Sequence, residues 1–319
     1  MVGLAAGTGG DARLGGGRHP RVPAGSDRLT SLAEDAPEPR GRWIPPVALT
    51  APGVALLVLT FLAPVLWLAR MSFNETLPGG AMREAFTLAN YEEFFSDPYF
   101  LDITLDSIAT SLIVTLIALI TSYPIALFLY RWSSPWRGLM VLLTISPLLV
   151  SAVLRTYGWI IILGDRGWVN GLLLALGFIG EPLRLINNKT GVLIGLAEIL
   201  MPYMALSLIA GFGRLDRTLE EAAMSLGASP LRTFLRVTLP LSLPGVALGT
   251  LLCFVLAVSS FITPKLLGGG RVFLLATEIY DQSLTTLNWP LAATISIILL
   301  FVFAAALLLY SRLTRRLGQ

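Results

Sequence analysis

Six stretches of the chain stay apolar for the roughly 20 residues that a bilayer-spanning helix requires. They cover residues 46–69, 107–130, 138–162, 190–213, 241–264 and 289–311, and the polar residues gather between them. Prolines 64, 124, 147 and 202 fall inside these runs. Membrane helices accommodate proline because neighbouring helices and hydroxyl side chains satisfy the freed carbonyls. The runs predict an all-α integral membrane fold with six transmembrane helices. A seventh apolar stretch, 167–180, is too short to cross. It carries Asn170 and is broken by Gly171 and Gly177, which predicts an interfacial or re-entrant helix on the outer side.

Charge gives the expected direction of insertion. Arg131 and Arg137 follow the second run, and Arg214, Arg217, Arg232 and Arg236 follow the fourth. Arg312, Arg315 and Arg316 follow the sixth, and further arginines precede the first. The intervening segments carry Glu75, Glu84, Glu92, Glu93, Asp97 and Asp102. Basic residues favour the cytoplasmic side, so an N-in, C-in arrangement is expected. Counting 167–180 as a crossing would put the last arginines outside. Residues 1–44 are rich in Gly, Pro, Ala and Arg and lack a continuous apolar segment. A disordered cytoplasmic N-terminal tail is expected there; a start codon assigned too far upstream is the other reading. Residues 45–319 then form the permeation domain.

Composition narrows the classes. The chain is 55% hydrophobic and 13% charged, against about 25% charged in soluble domains, and its mean hydropathy is +0.73. A lone cysteine, Cys253, excludes an intramolecular disulfide. The lone histidine, His19, lies in the leader, so a Cys/His metal cluster or a histidine-based triad inside the membrane is not expected. No metal or cofactor is predicted. The only lysines, Lys189 and Lys265, do not follow a glycine, so the chain has no P-loop. ATP-driven transport through this chain requires the nucleotide site on a separate subunit.

The loop over 214–240 between the fourth and fifth runs carries the most local information. Thr218 with Glu221 three residues on has the pattern of a capping box. Helix formers follow, and Gly227 is placed to end the helix. Ser229-Pro230 opens a second predicted helix, with Leu231, Phe234 and Leu235 on one face, Arg232 and Arg236 one turn apart, and Pro240 at its end. A compact helix–turn–helix knob suits docking into a groove of another protein. An amphipathic hairpin lying on the lipid surface has the same local pattern.

Glu221, Ala222, Ala223, Gly227, Val237, Leu239 and Pro240, at these spacings, resemble the EAA motif of binding-protein-dependent ABC importer permeases. The family usually has isoleucine at the position of Val237. The resemblance runs from about residue 45 to the end. Stretches 155–170, 200–216 and 261–270 resemble the branch that contains polyamine permeases, a branch also similar to permeases for iron, thiosulfate and phosphonates. The resemblance implies a type I importer permease in the bacterial cytoplasmic (inner) membrane, not an enzyme. Its implied cargo is a small solute, with spermidine or putrescine favoured. Its implied partners are two copies of an ATP-binding cassette subunit, a second and different permease subunit, and a periplasmic or lipid-anchored solute-binding protein. Membrane lipid surrounds it, and no nucleic acid is involved. The loop becomes the element that couples to the ATPase, with Glu221 facing a basic residue there and Gly227 permitting the turn.

Glu198 is an acid inside an apolar run, and insertion scales put the cost of such a group near 2.5–3.5 kcal/mol at mid-membrane. It either lines the solute path and attracts a cation, or is protonated or paired with a neighbouring helix. Tyr157, Trp159, Tyr203, Ser259, Ser260 and Thr263 are further path candidates. The aromatics equally suit interfacial anchoring, and Ser259-Ser260 equally suits bonding back to helix carbonyls. A self-sufficient secondary transporter is the rival class. It should show paired interrupted helices in two halves, and none is legible.

Overall fold

The computed structural model describes residues 46–77, 80–213 and 215–317. The expected N-terminal tail and Arg214 lie outside them. The chain divides into two units, 1–59 and 60–319. Helix α1, Pro46–Met71, crosses that boundary; in the first unit residues 50–59 are helical and exposed.

Among the described residues, five helices are long and apolar enough to cross a membrane, six if one bent pair counts as a single span. After α1 come a short hairpin, Glu75–Thr76 against Met82–Arg83, and α2, Ala89–Ser96. Helix α3, Pro98–Arg131, starts nine residues before the expected apolar run. Asp97 caps it by accepting the Tyr99 N–H at 2.9 Å, with Pro98 in the first turn where its missing N–H costs nothing.

The third expected span, 138–162, is not one helix. Helix α4, Arg137–Ile145, passes into a 3₁₀ turn at Ser146–Leu149, and the chain resumes as α5, Ala152–Leu163. The arms Arg137–Leu149 and Ala152–Ala175 are bent by 95° at the break. The break follows Pro147, and a 3₁₀ turn exhausts itself within three or four residues. Helix α6, Trp168–Ala175, occupies the short seventh stretch. Buried Asn170 pins the surrounding loop, donating to the Gly164 and Leu183 carbonyls and accepting the Leu183 N–H.

Helix α7, Lys189–Phe212, is the centre of the second unit, with more than half of its apolar stretch buried. Val192, Leu196, Met204, Leu208 and Phe212 pack with Val114 and Ala118 of α3 and with Cys253 and Ala257 of the next long helix. That helix differs from the expected 241–264. It runs without a gap from Pro230 to Val258: α9, Pro230–Thr233, a π turn at Phe234–Thr238, and α10, Leu239–Val258. Pro240 therefore does not end the loop helix. The proline ring would clash with the carbonyl four residues back, at Arg236. That carbonyl lies in the wider π turn, and the helix continues.

Gly211 and Gly245 let α7 and α10 touch backbone to backbone: a Cβ on Gly211 would lie 2.7 Å from the Gly245 Cα. Beyond α10 follow α11, Ile262–Leu267, α12, Leu275–Leu284, and α13, Trp289–Leu317. A second core joins Phe94, Phe100, Ile103, Leu275, Leu291 and Ile295 near the start of α3.

Candidate functional site

Helix α8, Arg217–Ser225, is the first helix of the 214–240 loop. Asp216, not Thr218, caps it, accepting the Thr218 N–H at 2.9 Å. The expected Thr218–Glu221 capping box is displaced because Asp216, one residue before the first helical position, already satisfies the orphan donor. That hydrogen bond from Thr218 holds the Asp216 carboxyl below its ordinary value. Gly227 ends the helix at φ +84°. The Gly227 N–H bonds to the Met224 carbonyl and the Ala228 N–H to the Ala223 carbonyl, the two bonds of a Schellman motif.

Glu220, which the sequence reading passed over, fixes this helix to the bundle. Its Oε1 accepts the Thr238 hydroxyl at 2.7 Å, and its carboxylate pairs with Arg131 at 3.3 Å. Arg217 donates to the Tyr130 carbonyl and lies over the Tyr130 ring, 5.1 Å from its centroid. The helix is thereby bonded to the end of α3 and to the π turn that leads into α10. Glu221 points the other way. It is exposed, as are Ala222, Gly227 and Pro240, while Ala223, Val237 and Leu239 are half-buried. Leu226 at the turn is 90% exposed, and Leu231 and Met224 are exposed beside it. The predicted apolar face divides: Phe234 packs on Tyr123 at 5.9 Å, whereas Leu231 and Leu235 are exposed.

A second polar centre sits at the bend of the third span. Glu198 on α7 pairs with Arg155 on α5, Nη2 to Oε1 at 2.6 Å. The same Nη2 donates to the Glu198 carbonyl at 3.1 Å, and Nη1 donates to the Pro147 carbonyl at 3.3 Å. The Trp159 indole N–H donates to the other carboxylate oxygen at 3.1 Å. Two lone charges in separate apolar runs thus compensate each other. The signal in the sequence was their opposite sign, but only the packing of α5 on α7 brings them together.

The other path candidates do not share this site. Thr263 on α11 is buried, its hydroxyl 3.1 Å from that of Thr156. Ser259 bonds to the Val255 carbonyl of its own helix at 2.9 Å, and Ser260 is half-buried beside it. Tyr203 is half-buried against the main core, and Tyr157 is exposed. Near the start of α3 a cavity of about 420 Å³ is lined by Asp102, Asp106, Asn187, Lys189 and Arg271. Lys189 and Asp106 pair across it at 2.6 Å.

Comparison with known proteins places this geometry. Residues 113–319 match the family described as binding-protein-dependent transport system inner membrane component. The chain is 37% identical over 266 residues to the spermidine/putrescine transport system permease protein PotB of Escherichia coli (strain K12), covering 83% of this chain and 96% of that one. It is 32% identical over 263 residues to the protein of the same name from Haemophilus influenzae, covering 82% and 92%. Among solved structures, a chain of a bacterial ABC transporter that imports the acidic polysaccharide alginate superposes with a TM-score of 0.71 at 17% identity, covering 92% of this chain and all of that one. That likeness is one of fold. Systems of this kind work with an ABC ATPase and a solute-binding protein. This chain belongs to the family of binding-protein-dependent transport system inner membrane components, and is a multi-pass permease subunit of an ABC importer rather than an enzyme.

Proposed function

We propose that the chain carries spermidine and putrescine into the cytoplasm. The observation that carries this reading is the 37% identity maintained over 96% of the E. coli polyamine permease. Glu198 supports it: a carboxylate in an apolar span, 29% exposed at its side chain, is a suitable counter-ion for an ammonium group. Trp159 at 3.1 Å adds an aromatic surface of the kind that attracts cations. In this reading Tyr203 and Ser260, half-buried away from Glu198, are the further candidates for bordering the route.

The arginine distribution supports an N-in, C-in orientation. The loop over 214–240 then faces the ATPase. Glu221, Ala222, Met224 and Leu226 form the surface that enters its cleft, and Gly227 sets the turn between them and α9. Glu220, Arg131 and Thr238 carry movement of that surface into α3 and α10. A second, different permease subunit completes the pore, two ATPase copies drive it, and a periplasmic or lipid-anchored binding protein delivers the solute.

The test is the assembled importer in liposomes, with its ATPase, second permease and binding protein. Expected is ATP-dependent accumulation of labelled putrescine or spermidine, with hydrolysis stimulated by either. Hydrolysis and uptake indifferent to both amines would refute the substrate assignment.

A further inference from the structure

The Arg155–Glu198 pair is built unevenly. The Arg155 side chain is 10% exposed, whereas that of Glu198 is 29% exposed. The guanidinium is also short of partners, since its Nε is buried with no hydrogen bond. Arg155 nevertheless makes the two contacts that matter for the bend. Through Nη1 it holds the Pro147 carbonyl, in the 3₁₀ turn just before the break, and through Nη2 it holds Glu198 on α7. Arg155 itself stands in the first turn of the arm after the break. One side chain therefore ties both arms of the 95° bend to the central helix.

A buried ion pair is poor value as a stabiliser, because desolvation offsets most of its attraction. Its attested uses are in specifying geometry and in switching. The carboxylate keeps an open side, so another cation can approach without first dismantling the core. An alkylammonium is a compact point charge with three rotatable donors. It can satisfy Glu198 Oε1 as the guanidinium does, but it has no tether to the Pro147 carbonyl.

We propose that Arg155 is a tethered stand-in for the ammonium group of the substrate: it occupies Glu198 until a cationic substrate displaces it, and the exchange releases the bend in the third span. This rests on the polyamine reading above. Arg155 is then a competitor built into the site as well as a positioning residue. Weakening it improves apparent affinity for cations while loosening control over the empty transporter. A purely structural clamp predicts the reverse, since its loss would only damage transport.

The experiment uses the complete importer in proteoliposomes with labelled putrescine, comparing wild type, Arg155→Lys, Glu198→Gln and the double variant Arg155→Gln/Glu198→Gln. Lysine keeps the charge but cannot bridge Glu198 and the Pro147 carbonyl with a planar fork. Arg155→Lys is expected to lower the half-saturating putrescine concentration at least threefold and to raise ATP hydrolysis in the absence of substrate. The double variant leaves no uncompensated charge and is expected to assemble in wild-type yield. Its uptake at subsaturating putrescine should fall at least tenfold, as should that of Glu198→Gln. Wild-type half-saturation in the double variant overturns the proposal, and so does an unchanged or raised value in Arg155→Lys. Failure of the double variant alone to assemble assigns the pair to folding and overturns it as well. A wild-type importer that carries no polyamine at all instead refutes the substrate reading, a result separable from these.

Discussion

Glu220 and Glu221 are adjacent, chemically identical and opposite in environment, so their alanine substitutions should fail in different ways. Glu220→Ala removes the acceptor of the Thr238 hydroxyl, a 2.7 Å bond at a threonine that is 1% exposed. Hydrogen bonds to charged groups contribute about 1.5–3 kcal/mol. The Arg131 pair adds less: its 3.3 Å contact involves an arginine side chain 47% exposed, where such pairs contribute about 0.2–1 kcal/mol. Together they hold α8 against α3 and the π turn by roughly 2–3 kcal/mol, a shift of about 30- to 150-fold in the docked population. Glu221→Ala breaks no side-chain hydrogen bond or ion pair within the described residues and leaves that equilibrium unchanged. Hydrogen exchange of residues 217–225 in the detergent-solubilised permease separates the two. Exchange should accelerate by at least tenfold in Glu220→Ala and stay at the wild-type rate in Glu221→Ala. The assembled importer then gives the complementary readout, because Glu221→Ala should weaken ATPase co-purification. Equal exchange in both variants, or full ATPase retention in Glu221→Ala, would refute the division of labour between inner and outer carboxylate.

Three further outcomes are expected. Gly211→Ala places a methyl 2.7 Å from the Gly245 Cα, where carbon contacts need about 3.5–4.0 Å. The helices α7 and α10 must separate by about 1 Å, at a cost of about 1–3 kcal/mol, and a melting temperature in detergent equal to wild type would contradict this. Gly227→Val puts a branched side chain at φ +84° in open space, so its penalty is one of backbone alone, about 1–2 kcal/mol; substrate-stimulated hydrolysis should fall while binding-protein docking is retained. The Asp216 carboxyl titrates below its ordinary value because the folded cap favours the ionised form. Its contribution is complete above the unfolded value, near pH 4, and is lost as pH falls through the lower folded value. Fraying of the first turn of α8, followed by hydrogen exchange, should therefore increase with acidification below pH 4 in wild type, and Asp216→Asn should weaken that dependence.

Much of this protein was legible in the order of its residues because lipid imposes a local rule. A backbone in hydrocarbon must satisfy its own hydrogen bonds, so each apolar run of sufficient length becomes a helix whatever its neighbours. That determined the helical class and the approximate positions of the long apolar helices, while local capping chemistry placed the turn at Gly227. The absence of a P-loop likewise needs no tertiary information. The shape of the third span was not legible. Apolar content across 138–162 is the same for a straight helix as for two arms in a bent pair, and Pro147 alone does not decide between them, since prolines inside other long helices leave those helices continuous. The join at Pro240 differs from the expectation because proline usually stops a helix, whereas here the wider π turn at Phe234–Thr238 lets the helix continue. The partners of charged groups were the least accessible. Arg155 and Glu198 lie 43 positions apart, Glu220 and Arg131 lie 89 apart, and no local periodicity links them. Hydrophobic length is a sum over neighbours in the chain, whereas ion pairing and helix contact depend on neighbours in space. The sequence alone thus determined which stretches are apolar and long enough to form candidate spanning helices. Tertiary structure decided where the third apolar run bends, that Glu220 rather than Glu221 braces α8, and that Arg155 faces Glu198.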